Sequence, residues 1–163
     1  MGLTFTMWLT ASSMDPGYLK KPKVPFIKLL EKFDPTLLCP YCEVIRTSRS
    51  RHCSICNQCV ERFDHHCPWV NNCVGSKNHF AFLSFLLLCS ISLIAIIAMT
   101  VINIFLWEND GHTSKIVPSF WGTNIISNEV FYIVSGVLIA GCLFFASPLL
   151  VLVYVQVKNF CAG

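Results

Sequence analysis

Two long stretches of this chain contain no charged residue, 80–106 and 130–157. Coiled as a helix, either would be about 40 Å long, enough to cross a hydrocarbon layer of roughly 30 Å with some tilt. The rest of the chain does not dilute this signal. Of 163 residues 54% are hydrophobic and only 13% are charged, about half the ~25% usual in soluble domains. Disorder is excluded, and so is an ordinary soluble domain, because the apolar residues are concentrated rather than spread. The pattern predicts an α-helical integral membrane protein with transmembrane helices over 80–106 and 130–157.

The first half has a different character. Seven of the ten cysteines (39, 42, 53, 56, 59, 67, 73) fall within 35 residues, interleaved with His52, His65 and His66. A disulfide scaffold has no need of those histidines, so metal binding in a reducing compartment is the better reading. Charge asymmetry bears on the same question, because Lys and Arg accumulate on the cytoplasmic side of membrane spans. Residues 1–79 carry ten Lys or Arg against six acids, whereas 107–129 carry Lys115 against Glu108, Asp110 and Glu129. The Cys-rich part and the tail 158–163, with Lys158, are therefore expected in the cytosol, and 107–129 forms a lumenal or extracytoplasmic loop flanked by Trp107 and Trp121 as interface anchors. Residues 1–14 are apolar but too short to span. They fit either an interfacial segment or, the reading preferred here, the remnant of a preceding transmembrane helix. Residues 15–36, with Pro16, Gly17, Pro22, Pro25 and Pro35 among lysines, read as a cytosolic linker containing a short interfacial helix over 26–32.

Within the Cys-rich segment, 37–79, two Cys-x2-Cys pairs followed by further Cys and His suggest two closed tetrahedral zinc sites. Adjacent residues of an extended chain point to opposite sides, so His52 and Cys53 cannot easily serve one ion, nor can His65 and His66. Interleaving resolves this: Cys39, Cys42, His52 and Cys59 form one site, and Cys53, Cys56, His66 and Cys73 the other. The apolar residues left to build a core are chiefly Ile45, Ile55, Val60 and Phe63. Structural zinc, worth roughly 10–16 kcal/mol per site, would then be the main folding energy. Asp64, His65 and Cys67 remain unused. A spare cysteine is commonly an inert buried thiol, but here carboxylate, imidazole and thiol lie within four positions. That set can activate a nucleophile, with His66 turned to the opposite face.

Cys39-x2-Cys42, His52-Cys53-x2-Cys56-x2-Cys59, Asp64-His65-His66-Cys67-Pro68-Trp69 and Cys73, ahead of Asn78 and a span and preceded by Asp15-Pro16-Gly17, resemble the DHHC family of protein S-acyltransferases (palmitoyltransferases). The resemblance implies a fold of transmembrane helices plus a small cytosolic Cys-rich two-zinc domain with short strands and loops. It implies Cys67 as the acylated nucleophile, His65 as its base and Asp64 as the orienting carboxylate. The implied substrates are acyl-CoA, such as palmitoyl-CoA, and proteins with a membrane-proximal cysteine, acting through a ping-pong acyl-enzyme at a bilayer of the ER, Golgi, another endomembrane or the plasma membrane.

Trp69, Phe82 and Phe85 are either walls for the acyl chain or ordinary interfacial and lipid-facing aromatics. Arg51 either contacts CoA phosphates or faces anionic lipid, as do Arg46 and Arg49. Nucleic acid is not an expected partner, since net charge is only +3 and the basic residues adjoin spans. The family's TTxE motif is not found after Lys158, so the sequence reads as part of a longer enzyme, with a non-catalytic zinc scaffold or truncated pseudoenzyme as the alternative. Pro148 is expected to kink the second span, and Cys161 is a juxtamembrane candidate for S-acylation.

Overall fold

A computed structural model describes residues 2–109 and 128–161. Its elements, in order, are helix α1 (Gly2–Ser13), helix α2 (Phe26–Lys32), a 3-10 turn (Pro35–Leu37), strands β1 (Leu38–Cys39), β2 (Val44–Ile45), β3 (Arg51–Cys53), β4 (Gln58–Val60), β5 (His65–Cys67) and β6 (Asn72–Val74), and helices α3 (His79–Asn109) and α4 (Asn128–Cys161). The chain divides into two units, Met1–Phe85 and Leu86–Gly163.

The first unit is a run of three antiparallel hairpins, β1–β2, β3–β4 and β5–β6. Strands of two or three residues cannot hold one another by hydrogen bonds alone. Their cores are correspondingly small: Cys39, Val44 and Cys59 with Leu19 and Cys42, and Cys53, Val60 and Cys73 with Tyr18, Cys56 and Phe63. Val60 and Phe63 are in this packing as the sequence suggests, but Ile55 is 70% exposed. It sits at the tip of the β3–β4 turn, and cysteines fill the interior instead.

The segment after α1 is more ordered than a linker. The Asp15 carboxylate accepts from the N–H groups of Gly17 (2.8 Å) and Tyr18 (2.9 Å), closing a turn in which Gly17 has φ +106°. That turn lays the chain along β4, with Leu19 N–H donating to Cys59 O (2.8 Å) and Glu61 N–H to Gly17 O (2.8 Å). Gly75 lies beneath the turn, and a Cβ there would strike the Pro16 carbonyl and Val60.

In the second unit, helices over His79–Leu106 and Glu129–Asn159 are long and apolar enough to cross a membrane; the first of these starts in the preceding unit. Hydroxyls along them are satisfied internally: Ser90, Ser92 and Thr100 each donate to the carbonyl four residues back, at 2.8–2.9 Å. Pro148 lies inside α4, which continues on both sides of it. Its ring supplies no N–H for Phe144 O, and Ser147 Oγ donates there instead, at 3.3 Å. Most of the expected loop at 107–129, with Trp121, lies outside the described residues, as do the side chains of Trp107 and Cys161.

Candidate active site and metal centres

Hairpin register brings the sequence-distant donors together. His52 lies directly opposite Cys59 in β3–β4, and His66 opposite Cys73 in β5–β6. The Cys-x2-Cys pairs sit at the turns of the preceding hairpins, Cys39 and Cys42 before the first of these strand pairs and Cys53 and Cys56 before the second. Two groups result, Cys39, Cys42, His52 and Cys59, and Cys53, Cys56, His66 and Cys73, with ligand atoms within 4.8 Å of one another in each. His52 Nδ1 is 3.2 Å from Cys42 Sγ, 3.7 Å from Cys39 Sγ and 3.9 Å from Cys59 Sγ. His66 Nδ1 is 3.4 Å from Cys56 Sγ and 3.7 Å from Cys73 Sγ. A tetrahedral ion with metal–sulfur bonds of about 2.3 Å spaces its donors roughly 3.5–3.8 Å apart. Three thiols and one imidazole at this spacing fit a metal ion, and each described cysteine is a free thiol.

Cys67 stands outside both groups. It ends β5 with only 4% of its surface exposed. Strand alternation puts His65 on its side and sends His66 to the metal group. His65 Nδ1 is 3.2 Å from Asp64 Oδ2, and the ring also hydrogen-bonds to Cys67. The ring also packs edge-to-face with Phe82, their centroids 5.5 Å apart. The Asp64 hydrogen bond, then that to Cys67, raise the His65 imidazole to about 9 against the opposing effect of burial. Burial pushes the Cys67 thiol up, but the hydrogen bond from His65 and the N–H groups of Val70 and Trp69 outweigh it and leave the thiol below its ordinary value. The arrangement can therefore hold an imidazolium beside a thiolate, the resting form of an activated cysteine.

Of the residues considered for substrate contact, Phe82 is buried under His65, Phe85 is half-buried on α3, Trp69 is 82% exposed next to Cys67, and Arg51 is exposed on β3.

Several supporting residues escaped the sequence reading. Asn72, opposite Cys67 in the register, donates through Nδ2 to the carbonyls of Ala11 (3.1 Å), Ser12 (3.2 Å) and Met14 (2.8 Å). Its Oδ1 accepts from Cys73 N–H at 2.9 Å. Asn78 bonds Cys73 O (2.8 Å), Gly75 N–H (2.9 Å) and Ala11 O (3.4 Å), and Trp8 Nε1 donates to Trp69 O at 3.0 Å. The last carbonyls of α1 have no partner within their helix, and Asn72 and Asn78 close them onto the hairpin of Cys67.

The chain matches the DHHC palmitoyltransferase family over residues 32–163. It belongs to that family. Similar proteins include Palmitoyltransferase Hip14 of Drosophila melanogaster, 44% identical over 52% of this chain and 14% of the relative. Palmitoyltransferase ZDHHC4 of Mus musculus is 35% identical over 61% of this chain and 31% of the relative. Palmitoyltransferase ZDHHC9 of Homo sapiens is 37% identical over 60% and 27%. The chain spans less than a third of the length of each of these relatives.

Proposed function

We propose that this chain carries the catalytic part of a membrane-bound protein S-acyltransferase, with Cys67 as the nucleophile. The observation that carries the reading is the set at β5, where Asp64, just before the strand, bonds His65 (3.2 Å) and His65 hydrogen-bonds to the Cys67 thiol. His65 takes the thiol proton, the sulfur attacks the thioester carbonyl of a long-chain acyl-CoA, and the CoA sulfur leaves with a proton returned by His65. A protein thiol then attacks the acyl-Cys67 thioester in the same manner, and Cys67 leaves. Each step exchanges one thioester for another, so no external energy source is needed; orientation and charge stabilisation supply the rate.

The metal in both groups is zinc in this reading, held by Cys39, Cys42, His52 and Cys59 and by Cys53, Cys56, His66 and Cys73. When bound it supplies cross-links rather than a reacting centre, because four protein donors leave no open position. The charge pattern supports residues 37–79 and the tail on the cytosolic side, spans over 80–106 and 130–157, and 107–129 on the far side. Substrate proteins are then those that present a cysteine at the cytosolic membrane surface. A thiol at that height can leave its acyl chain among membrane helices, sparing a soluble pocket that would have to bury it at ~0.8 kcal/mol per CH2.

The test is incubation with labelled palmitoyl-CoA. A hydroxylamine-sensitive adduct is expected, abolished by Cys67→Ser and slowed by roughly a hundredfold or more by His65→Ala. Label that persists in Cys67→Ser overturns the assignment.

A further inference from the structure

Cys67 occupies a position that, twice earlier in the same unit, belongs to a metal-group cysteine. Cys39, Cys53 and Cys67 recur at fourteen-residue intervals, each as the last residue of the first strand of a hairpin. Four residues beyond each, Glu43, Asn57 and Asn71 take left-handed backbone, at φ 53°, 51° and 47°. Three non-glycine residues in that region at one repeat position show that the turns fold alike. In each turn the main-chain N–H groups two and three residues on donate to the first sulfur: Tyr41 and Cys42 to Cys39, Ile55 and Cys56 to Cys53, Trp69 and Val70 to Cys67. The Cys56 N–H to Cys53 Sγ distance is 3.5 Å. The residues between project outward in all three, with Tyr41 77%, Ile55 70% and Trp69 82% exposed.

The third turn differs at one place. Where the first two have Cys42 and Cys56, it has Val70, which is 2% exposed. The first two groups are completed by a His and Cys pair from the next hairpin, whereas β6 is followed by α3 and the sulfur meets His65 from its own strand.

We propose that the β5–β6 hairpin is a metal knuckle kept free of metal, and that Val70 is the residue that keeps metal off Cys67. This rests on Cys67 being the nucleophile. The turn already presents a sulfur with two N–H donors, and His65 adds an imidazole. A thiolate at position 70 would complete the same Cys-x2-Cys clamp that grips a metal in the first two turns. A thiolate bound to zinc has much of its charge engaged by the metal and attacks a thioester more slowly. Val70 fills that place with a buried hydrocarbon, so the turn retains the N–H groups that serve a thiolate and loses the second sulfur that would recruit an ion. Val70 is a positioning residue in this sense, acting through Cys67.

The experiment uses full-length protein with Val70→Cys, and Val70→Ser as a control of matching size. Metal per chain is measured by elemental analysis, and bound thiolates by the sulfur-to-metal absorption of cobalt-substituted protein. Wild type and Val70→Ser are expected to hold two ions, and Val70→Ser, which keeps the backbone N–H but supplies no second sulfur, to acylate Cys67 faster than Val70→Cys. Val70→Cys is expected to hold three, with added thiolate absorption and acylation reduced by at least roughly tenfold. An ion count that stays at two in Val70→Cys overturns the proposal. So does a third ion with undiminished acylation, or a loss of acylation in Val70→Ser equal to that in Val70→Cys. Wild-type protein that takes no acyl label at Cys67 refutes the nucleophile assignment instead, and leaves the ion counts to be judged separately.

Discussion

Removing the Asn72 side chain tests how the reactive hairpin is anchored. Asn72 is 7% exposed. Among its four partners, the Ala11 carbonyl and the Cys73 N–H are in buried surroundings; those of Ser12 and Met14 are partly buried. A buried polar group left without a partner costs about 1–3 kcal/mol, and one that water can reach costs much less. Two buried groups would thus give about 2–6 kcal/mol. Ala11 O keeps a long bond from Asn78, 3.4 Å, which places Asn72→Ala in the lower half, at about 2–4 kcal/mol. Against a usual total of about 5–15 kcal/mol this is large. The loss should also be local, because the residues of both metal groups lie outside α1. Hydrogen exchange followed by mass spectrometry on the full-length protein is expected to show faster exchange in Gly2–Ser13 and in β6, with metal content unchanged. Asn72→Asp should do no better, since it keeps the acceptor for Cys73 but turns an oxygen toward three carbonyls. A cost below about 0.5 kcal/mol, as for ordinary surface substitutions, with unchanged exchange in α1 would refute the reasoning.

Chelating the metal is expected to unfold the hairpins, seen as protease cleavage within residues 38–74, while α3 and α4 keep their helical circular dichroism; cores as small as those at Val44 and Val60 cannot replace roughly 10 kcal/mol or more per ion. Gly75→Ala should cost about 3 kcal/mol or fail to fold, because its Cβ meets backbone at Pro16 and Glu61 as well as Val60; thermal unfolding compared with Ser76→Ala measures it. The N–H groups of Tyr18 and Gly17, then Lys77, hold the Asp15 carboxyl down at about 2, from 3.8. A depressed acid contributes stability that is full above its unfolded value and lost as pH falls through its folded one. Slower exchange of the Gly17 and Tyr18 amides in wild type than in Asp15→Asn is therefore expected above pH 3.8, with the difference vanishing toward pH 2. At neutral pH Asp15→Asn keeps an acceptor in the turn but weakens the charge-assisted bonds from Gly17 and Tyr18 and loses the exposed Lys77 pair.

Donor chemistry and strand alternation are local properties, and both were legible in the chain. The Cys-x2-Cys spacing and strand alternation together group Cys39, Cys42, His52 and Cys59 and Cys53, Cys56, His66 and Cys73, and the same alternation separates His65 from His66. What could not be read depends on contacts across the chain. Asn72 and Asn78 look like solvent-facing residues of a turn until α1 is packed on them, sixty residues away in sequence. Ile55 looks like core because it is apolar, yet it is the outward residue of a knuckle whose interior is taken by Cys53 and Cys73. Residues 15–19 look like linker because of Pro16 and Gly17, but those two shape the turn that lets Tyr18 bridge to Val60. The fourteen-residue repeat was present in the sequence throughout. It is masked because its third copy replaces a cysteine by Val70 and because the left-handed positions carry Glu once and Asn twice.

The position of the thiol follows from these supports taken together. Cys67 is fixed from three directions: His66, its neighbour, belongs to a metal group; Asn72, its cross-strand partner, closes α1; and His65, its hydrogen-bond partner, rests on Phe82 of α3. From Cys73 the chain enters α3 within six residues, and Asn78 ties that short connection by bonding both Cys73 O and Gly75 N–H. The second metal group and the first turn of an apolar helix are therefore joined by a connection with little freedom to lengthen or tilt. In the proposed reaction Cys67 must meet its thioester in near-attack geometry, which a displacement of about 1 Å already weakens. In the proposed reading, metal cross-links would hold these hairpins with almost no hydrophobic core, and Trp69, Tyr41 and Ile55 face outward from the tips of the three turns. An insertion of two glycines between Val74 and Gly75 would leave the metal groups and the Asp64, His65 and Cys67 set intact. It should nonetheless reduce transfer to a protein thiol, measured with labelled palmitoyl-CoA, since it loosens the connection that Asn78 ties between Cys73 and Gly75.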